Sequence, residues 1–344
     1  MAAQQQGPTL ATPCFTSSSP ASDAREKFVQ ELWPRPQTAA QATESITDLN
    51  PYFDHLRHEC SPTFEQRYAV ATFEDIVSIV EILRGSPNAS FAEIRDSIQR
   101  TKPHMASQGL SVSIELAVRL WLMSNVRNVM PADLHQLQTS VPWPEDTSLQ
   151  SVLQKHFTGQ TNTSGGKFSE YLNFHDMKTI AGIRVEWTNN LAFHLTMKGS
   201  VIHVFHCVSV LKRMRESSAT PSFLPQDMID ETLATIDLLA PLTNATCNSW
   251  LADEIRNGVL DRNIMHRDPP NLDRSRYFFW QEKLSIVEEA FAKSKPGSFF
   301  QWWYDRRDMQ QWWGFWLVVA GIFLTVLFGL IQSVTGIIQV ARPS

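Results

Sequence analysis

Apolar residues recur at helical spacing along most of this chain, and polar residues at cap positions cut the pattern into separate helices. Phe73, Ile76, Val77, Val80 and Leu83 fall on one helical face, opened by Thr72 and stopped by Gly85-Ser86-Pro87. An earlier block is expected to start at Ser61-Pro62-Thr63, where Thr63 and Gln66 fit a capping box. Ser90 and Glu93 form the next box, ahead of Phe91, Ile94 and Ile98, and Pro103 bars extension. A third helix is expected over about Ser111 to Val126. After the loop signals Pro142-Trp143-Pro144 and Gly159 to Gly166, the pattern over Phe168 to Leu195 reads as mostly helical. Ser200 to Val210 is β-branched, and periodicity leaves open a strand or a buried helical turn. Helices are predicted at Pro225 to Leu239 and at Thr243 to Asn257, the latter with Gly258 as its C-cap. Over Asp273 to Lys293, Tyr277, Trp280, Leu284, Val287 and Phe291 step by 3, 4, 3 and 4. A seam of under two heptads is too short for a free coiled coil and is expected to pack on the domain.

Then the periodicity stops mattering, because every face turns apolar. Met309 to Ala341 holds no Asp, Glu, Lys or Arg, and Gly314 to Ser333 holds twelve Leu, Ile, Phe or Val residues. At roughly −0.3 to −0.6 kcal/mol each, these favour a bilayer by about 4 to 7 kcal/mol before polar positions are subtracted. As a helix, Trp313 to Ile331 is about 28 Å long, against a hydrocarbon core of about 30 Å. An aromatic cluster leads in, with Trp302, Trp303, Trp312, Trp313 and Trp316 suited to the headgroup zone beside Arg306 and Arg307. Lys293, Lys295, Arg306 and Arg307 precede the span and only Arg342 follows, which places the N-terminal part in the cytosol. The expected arrangement is single-pass and tail-anchored, inserted after synthesis. Its length and nearly uncharged tail favour a secretory-system membrane. Gly321, Thr325, Gly329 and Ser333 recur every four residues, a ridge on which a second membrane helix could pack.

The expected fold class is therefore mainly α: helical cytosolic domain or domains with at most a small β element, plus one C-terminal transmembrane helix. Residues 1–24, rich in Gln, Ser, Thr, Pro and Ala, are expected to be disordered. Residues 25–158 and 167–296 are expected to form two helical subdomains, with Lys295-Pro296-Gly297 as a hinge before the membrane segment at 312–338.

Charge and cysteine usage narrow the function. Lys and Arg number 30 against 35 Asp and Glu, a net charge of −5 that disfavours non-specific nucleic-acid binding. The helix Ser90 to Arg100 balances Arg95 and Arg100 against Glu93 and Asp96, so a plain three-helix bundle is favoured over a helix-turn-helix. Cys14, Cys60, Cys207 and Cys247 are widely spaced and expected to be thiols in a cytosolic domain. His203, His206 and Cys207 could share a face and hold a metal only if helical; as a strand they cannot. His55, His58 and Cys60 show the same weakness. No phosphate loop, nucleophile elbow or dinucleotide fingerprint is present, and no cofactor is expected. Asp227, Asp230, Glu231 and Asp237 read as a solvated acidic face of one helix.

Ile183 to Leu195, Val201 to Lys212, Leu224 to Pro241 and Phe279 to Trp316 resemble a large group of filamentous-fungal proteins with the same aromatic-rich C-terminal anchor. The likeness covers about residues 167–340 and lies chiefly in the tryptophan pattern. It implies a fungal, membrane-anchored protein and carries over no catalytic residue. The favoured function is a non-enzymatic binding or scaffolding module held at a lipid bilayer, with a protein partner or self-association through the membrane helix. One alternative is a membrane-tethered enzyme acting on a small or lipophilic substrate, with a site near His194, His203 and His206. Another is a membrane-held regulator with a helix-turn-helix-like module.

Overall fold

A computed structural model describes residues 10–16, 21–35, 49–128, 139–159, 165–258, 260–294 and 309–341. The protein is mainly helical, with a small β element and one long apolar C-terminal helix.

The first half is a helical layer. It contains α1 (Ser22–Leu32), α2 (Asn50–Glu59), α3 (Phe73–Gly85), α4 (Phe91–Thr101) and α5 (Leu110–Leu122). The capping box expected at Ser90 forms, and the helix start expected at Thr72 turns out to be a second box. Thr72 caps α3 with Asp75, and Ser90 caps α4 with Glu93. Each predicted face is buried: Ile76, Val80 and Leu83 on α3, Phe91, Ile94 and Ile98 on α4. The block expected at Ser61-Pro62-Thr63 is a short 3-10 turn, Pro62–Arg67, whose N-cap makes no side-chain bond. The helix lies ahead of it, in α2, where Pro51 occupies the first turn. The α5 helix ends at Leu122, short of Val126, because Met123 turns left-handed at φ 49. Val126–Arg127 (β1) then pairs in parallel with Val141–Pro142 (β2), and α6 (Leu149–His156) follows.

Part of the expected N-terminal disorder gives way to order. Leu10, Cys14 and Phe15 are buried, Cys14 N–H donates to Ala71 C=O at 2.9 Å, and Phe15 stacks on Tyr68. Residues 1–9 and 17–20 lie outside the described residues.

In the second half, the helical reading of Phe168 to Leu195 is corrected. The α-helix there is limited to α7 (Phe174–Thr179), with a 3-10 turn at Leu191–Phe193, and Gly182, at φ 65, redirects the chain into β3 (Arg184–Thr188). β3 pairs in parallel with β5 (Val201–Phe205), Arg184 opposite Val201 and Thr188 opposite Phe205. β4 (Thr196–Lys198) pairs antiparallel with β5 across a turn at Gly199, so the strand order is β3-β5-β4. Ser200 to Val210 thus divides into a strand and the start of α8 (Val208–Glu216). Next come α9 (Gln226–Leu239), α10 (Ala245–Arg256) and α11 (Gln281–Lys293). Gly258 follows α10 at φ 77, the left-handed turn its position predicts. The helix expected from Asp273 starts only at Gln281, because Arg274–Arg276 forms a 3-10 turn capped by Asp273. Its seam residues, Tyr277 through Phe291, are all buried in the domain.

The buried apolar residues form one cluster from Leu10 to Phe291, drawing on both halves. Trp121 packs edge-on against Phe223, Phe157 against Trp280, and Ser218 N–H donates to Pro34 C=O at 2.8 Å. Apart from these elements, α12 (Met309–Ala341) is a single helix.

Candidate functional site

Two features stand out: a polar cavity in the second half, and the long helix α12.

The cavity has a volume of about 630 Å³ and is walled by α8, α9 and the chain from Asn263 to Asn271. Asp261 holds that wall in place. Its buried carboxylate accepts from Ser209 N–H at 2.6 Å, Ser209 O–H at 2.5 Å and Asn263 N–H at 2.9 Å, tying the 3-10 turn Arg262–Met265 to the start of α8. Lys212 and Arg215 come from successive turns of α8, and Asp230 and Asp237 from α9. Arg215 pairs with Asp230 at 3.4 Å. Arg267 is only 8% exposed, yet it carries a full charge. Its Nη2 donates to Asn248 Oδ1, while Nε and Nη1 meet no acceptor among the described residues. Asn263, 6% exposed, turns its side-chain amide toward the Asp261 carboxylate.

Asp237 lies on this wall, half-buried. Burial, with the charge of Asp268 second, pushes its carboxyl up to about 7 from 3.8. The backbone N–H of Asp268 and the cations Arg267 and Lys212 oppose the rise. The unfolded chain releases this proton near pH 3.8 and the folded chain only near 7, so Asp237 destabilises the fold above pH 7 and not below pH 4. Asp237→Asn is expected to stabilise the domain by about 1–2 kcal/mol at pH 8, discounted for solvent screening, with the gain gone by pH 4. Urea midpoints at the two pH values check this.

The solvated acidic face expected on α9 therefore needs correction. Asp230 is exposed, but Glu231 is 7% exposed and turned inward. Its carboxylate accepts from three successive backbone N–H groups: Phe278 at 2.7 Å, Phe279 at 2.9 Å and Trp280 at 2.6 Å. It thereby caps α11 from another helix.

The histidines proposed as a metal or catalytic set occupy separate surroundings. His194 is fully buried. Its Nδ1 accepts Phe205 N–H at 3.1 Å, so its Nε2 donates to Thr235 Oγ1 at 2.8 Å, which donates onward to Thr232 C=O. His203 projects from the half-exposed face of β5, against Phe193 and 3.7 Å from Glu186. His206 lies past the strand, buried, near His55. Cys207 is buried and donates to Asn189 Oδ1 at 3.2 Å. β5 ends at Phe205, so the shared helical face that would gather His203, His206 and Cys207 does not form. Among the described residues, no three His, Cys, Asp or Glu side chains are gathered so that they could hold a metal ion.

Within α12, Trp312–Ile337 is a 26-residue stretch whose most apolar window has a mean hydropathy of 2.5, with none of that window buried. Leu317, Phe323 and Ile337 are 72%, 67% and 68% exposed. Trp312 packs edge-on to Trp313 and Trp316 at its start. Gly321, Thr325, Gly329 and Ser333 are exposed, and nothing lies within 4 Å of a Cβ built at either glycine. Trp302, Trp303, Arg306, Arg307 and the hinge Lys295-Pro296-Gly297 lie outside the described residues.

Arg267, Asn263 and Asp261 escaped the sequence reading. The one local signal was the charge density of His266-Arg267-Asp268 ahead of Pro269-Pro270. No family model, no curated protein and no solved structure matches this chain.

Proposed function

We propose that this protein is a single-pass membrane-anchored binding module, whose helical domain is held beside a bilayer by α12. The observation that carries the reading is the exposed apolar surface of Trp312–Ile337. A core helix of similar composition would bury that surface in its own domain, and apolar patches of this size are not left in water. The cations at Lys293, Lys295, Arg306 and Arg307 favour a cytosolic domain. A second copy or another membrane helix would pack on the ridge from Gly321 to Ser333. Tethering raises the local concentration of whatever the domain binds. Binding is favoured over catalysis because His194, His203 and His206 face three separate surroundings, and His194 has both ring nitrogens committed to the core.

Extraction of membranes with alkaline carbonate tests the anchor. The full chain should stay in the pellet, and a chain lacking residues 309–344 should move to the supernatant. Release of the full chain by carbonate defeats the reading. Protease treatment of sealed vesicles, with epitopes at both ends, reads the orientation: the C-terminal epitope should be protected.

A further inference from the structure

Buried N–H donors are nearly always paired in folded proteins. The cavity between α8 and α9 departs from this in one direction only. Arg267 Nε and Nη1 are donors without acceptors among the described residues, and the side chain is more than nine-tenths buried. Lys212 and Arg215 add two cations to the same wall. Asp230, Asp237 and Asp268 stand against Lys212, Arg215 and Arg267 on this wall, so the surplus is of N–H donors, and of positive charge only while Asp237 keeps its proton. Val208, Leu233 and Ile264 give the lining an apolar part. A volume of about 630 Å³ is of the size that small-molecule ligands occupy.

From this geometry we infer that the cavity is a binding site for a small organic anion, with a phosphate or carboxylate head on Arg267 and an apolar body against Leu233 and Val208. A planar guanidinium with open N–H positions suits such oxygens better than a single ammonium would. Two of the three acidic neighbours fit the same occupant, and the third, Asp268, lies beside Arg267 in the chain. Asp230 is paired with Arg215, and Asp237 holds its proton to about pH 7, so its neutral form can donate to an anion where its charged form would repel one. Binding here stands independently of membrane attachment. The head could belong to a soluble metabolite or to an anionic lipid.

Calorimetric titration of the full chain in phosphatidylcholine nanodiscs, with phenyl phosphate and with benzoate at matched ionic strength, tests this. Saturable binding is expected, weakened at least tenfold by Arg267→Gln and less by Arg267→Lys. Because Arg267 also holds Asn248, Lys212→Gln serves as a second variant that leaves the fold untouched; it should weaken binding several-fold. Benzoate stays ionised between pH 6 and 8, so its affinity should rise as pH falls through 7. Nanodiscs doped with phosphatidic acid distinguish the sources: competition with phenyl phosphate identifies a lipid headgroup, and its absence a soluble anion. No saturable heat above the chloride control overturns the inference. So does equal affinity in the wild type, Arg267→Gln and Lys212→Gln chains.

Discussion

Lowering the pH from 7 to 5 is expected to remove about 3 kcal/mol from the stability of the helical domain. The cause is a pair of buried histidines. His55 on α2 and His206 after β5 are both held neutral, each with its pKa lowered from 6.5 to about 4, chiefly by burial. Each also raises the cost of protonating its surroundings: His206 feels His55, and His55 feels Arg119 and His58 against the opposing charge of Glu59. His194, fully buried and next to Lys283, is lowered further still. The unfolded chain takes up a proton on each histidine as pH falls through 6.5, whereas the folded chain resists until about 4. Across that window the unfolded state binds more protons, and stability falls with pH. At 1.36 kcal/mol per pKa unit, His55 and His206 each cost about 2 kcal/mol by pH 5 and about 3 by pH 4. Asp237 offsets only about 1 kcal/mol of this in the same range. A whole domain is stable by only about 5–15 kcal/mol, so unfolding should set in near pH 4. Urea titrations of the detergent-solubilised chain, followed by circular dichroism at pH 7 and 5, measure the drop. Equal midpoints at the two pH values would contradict it, and His55→Gln with His206→Gln should flatten the slope.

Glu231→Ala is expected to destabilise the domain by about 3–5 kcal/mol. Among the described residues, the carboxylate is the acceptor for the backbone N–H groups of Phe278, Phe279 and Trp280, which precede α11. Truncation leaves three donors stranded in a buried place, at about 1–3 kcal/mol each before relaxation. It also removes a negative charge from the positive end of the α11 dipole. Burial raises the pKa of Glu231, and the three N–H bonds partly oppose that rise, so the charged form depends on those bonds. Glu231→Gln is the informative companion. One amide oxygen can replace only part of the acceptor capacity, since two bonds go to Oε2 and one to Oε1, so its cost should be intermediate. Melting curves for the three chains give the ranking directly. A loss below about 1 kcal/mol for the alanine variant would mean that these N–H groups find other partners.

Much of the helical layer was legible because its signals are local. Ser90 and Glu93 lie three residues apart, Thr72 stands just ahead of its helix, and the apolar stripes they introduce repeat within a turn. The long apolar helix is legible for the same reason: its composition needs no partner to be recognised. What escaped depends on distant neighbours. Leu10, Cys14 and Phe15 look isolated in a polar tail, and only the surface around Tyr68 and Ala71 gives them somewhere to be buried. The alternation at Val185 and Trp187 became a strand because β5, some fifteen residues away, offered a parallel edge. Glu231 and Asp237 sit six residues apart on one helix, so they face different ways. No spacing rule reveals that one meets the start of α11 and the other a cavity. The cavity itself unites α8, α9 and a proline-bounded loop, three segments with no shared motif.

The single core has a consequence for how this chain can vary. Leu191 N–H is held by Met123 C=O at 2.6 Å, Asn190 caps Asn125 N–H at 3.1 Å, and Arg213 reaches Gln30 at 2.8 Å, so contacts interleave across the midpoint. Neither portion can be exchanged wholesale for a cousin's. A recombination joint near residue 160 would inherit one side of every such contact and lose the other, so drift on one side must be matched on its opposite.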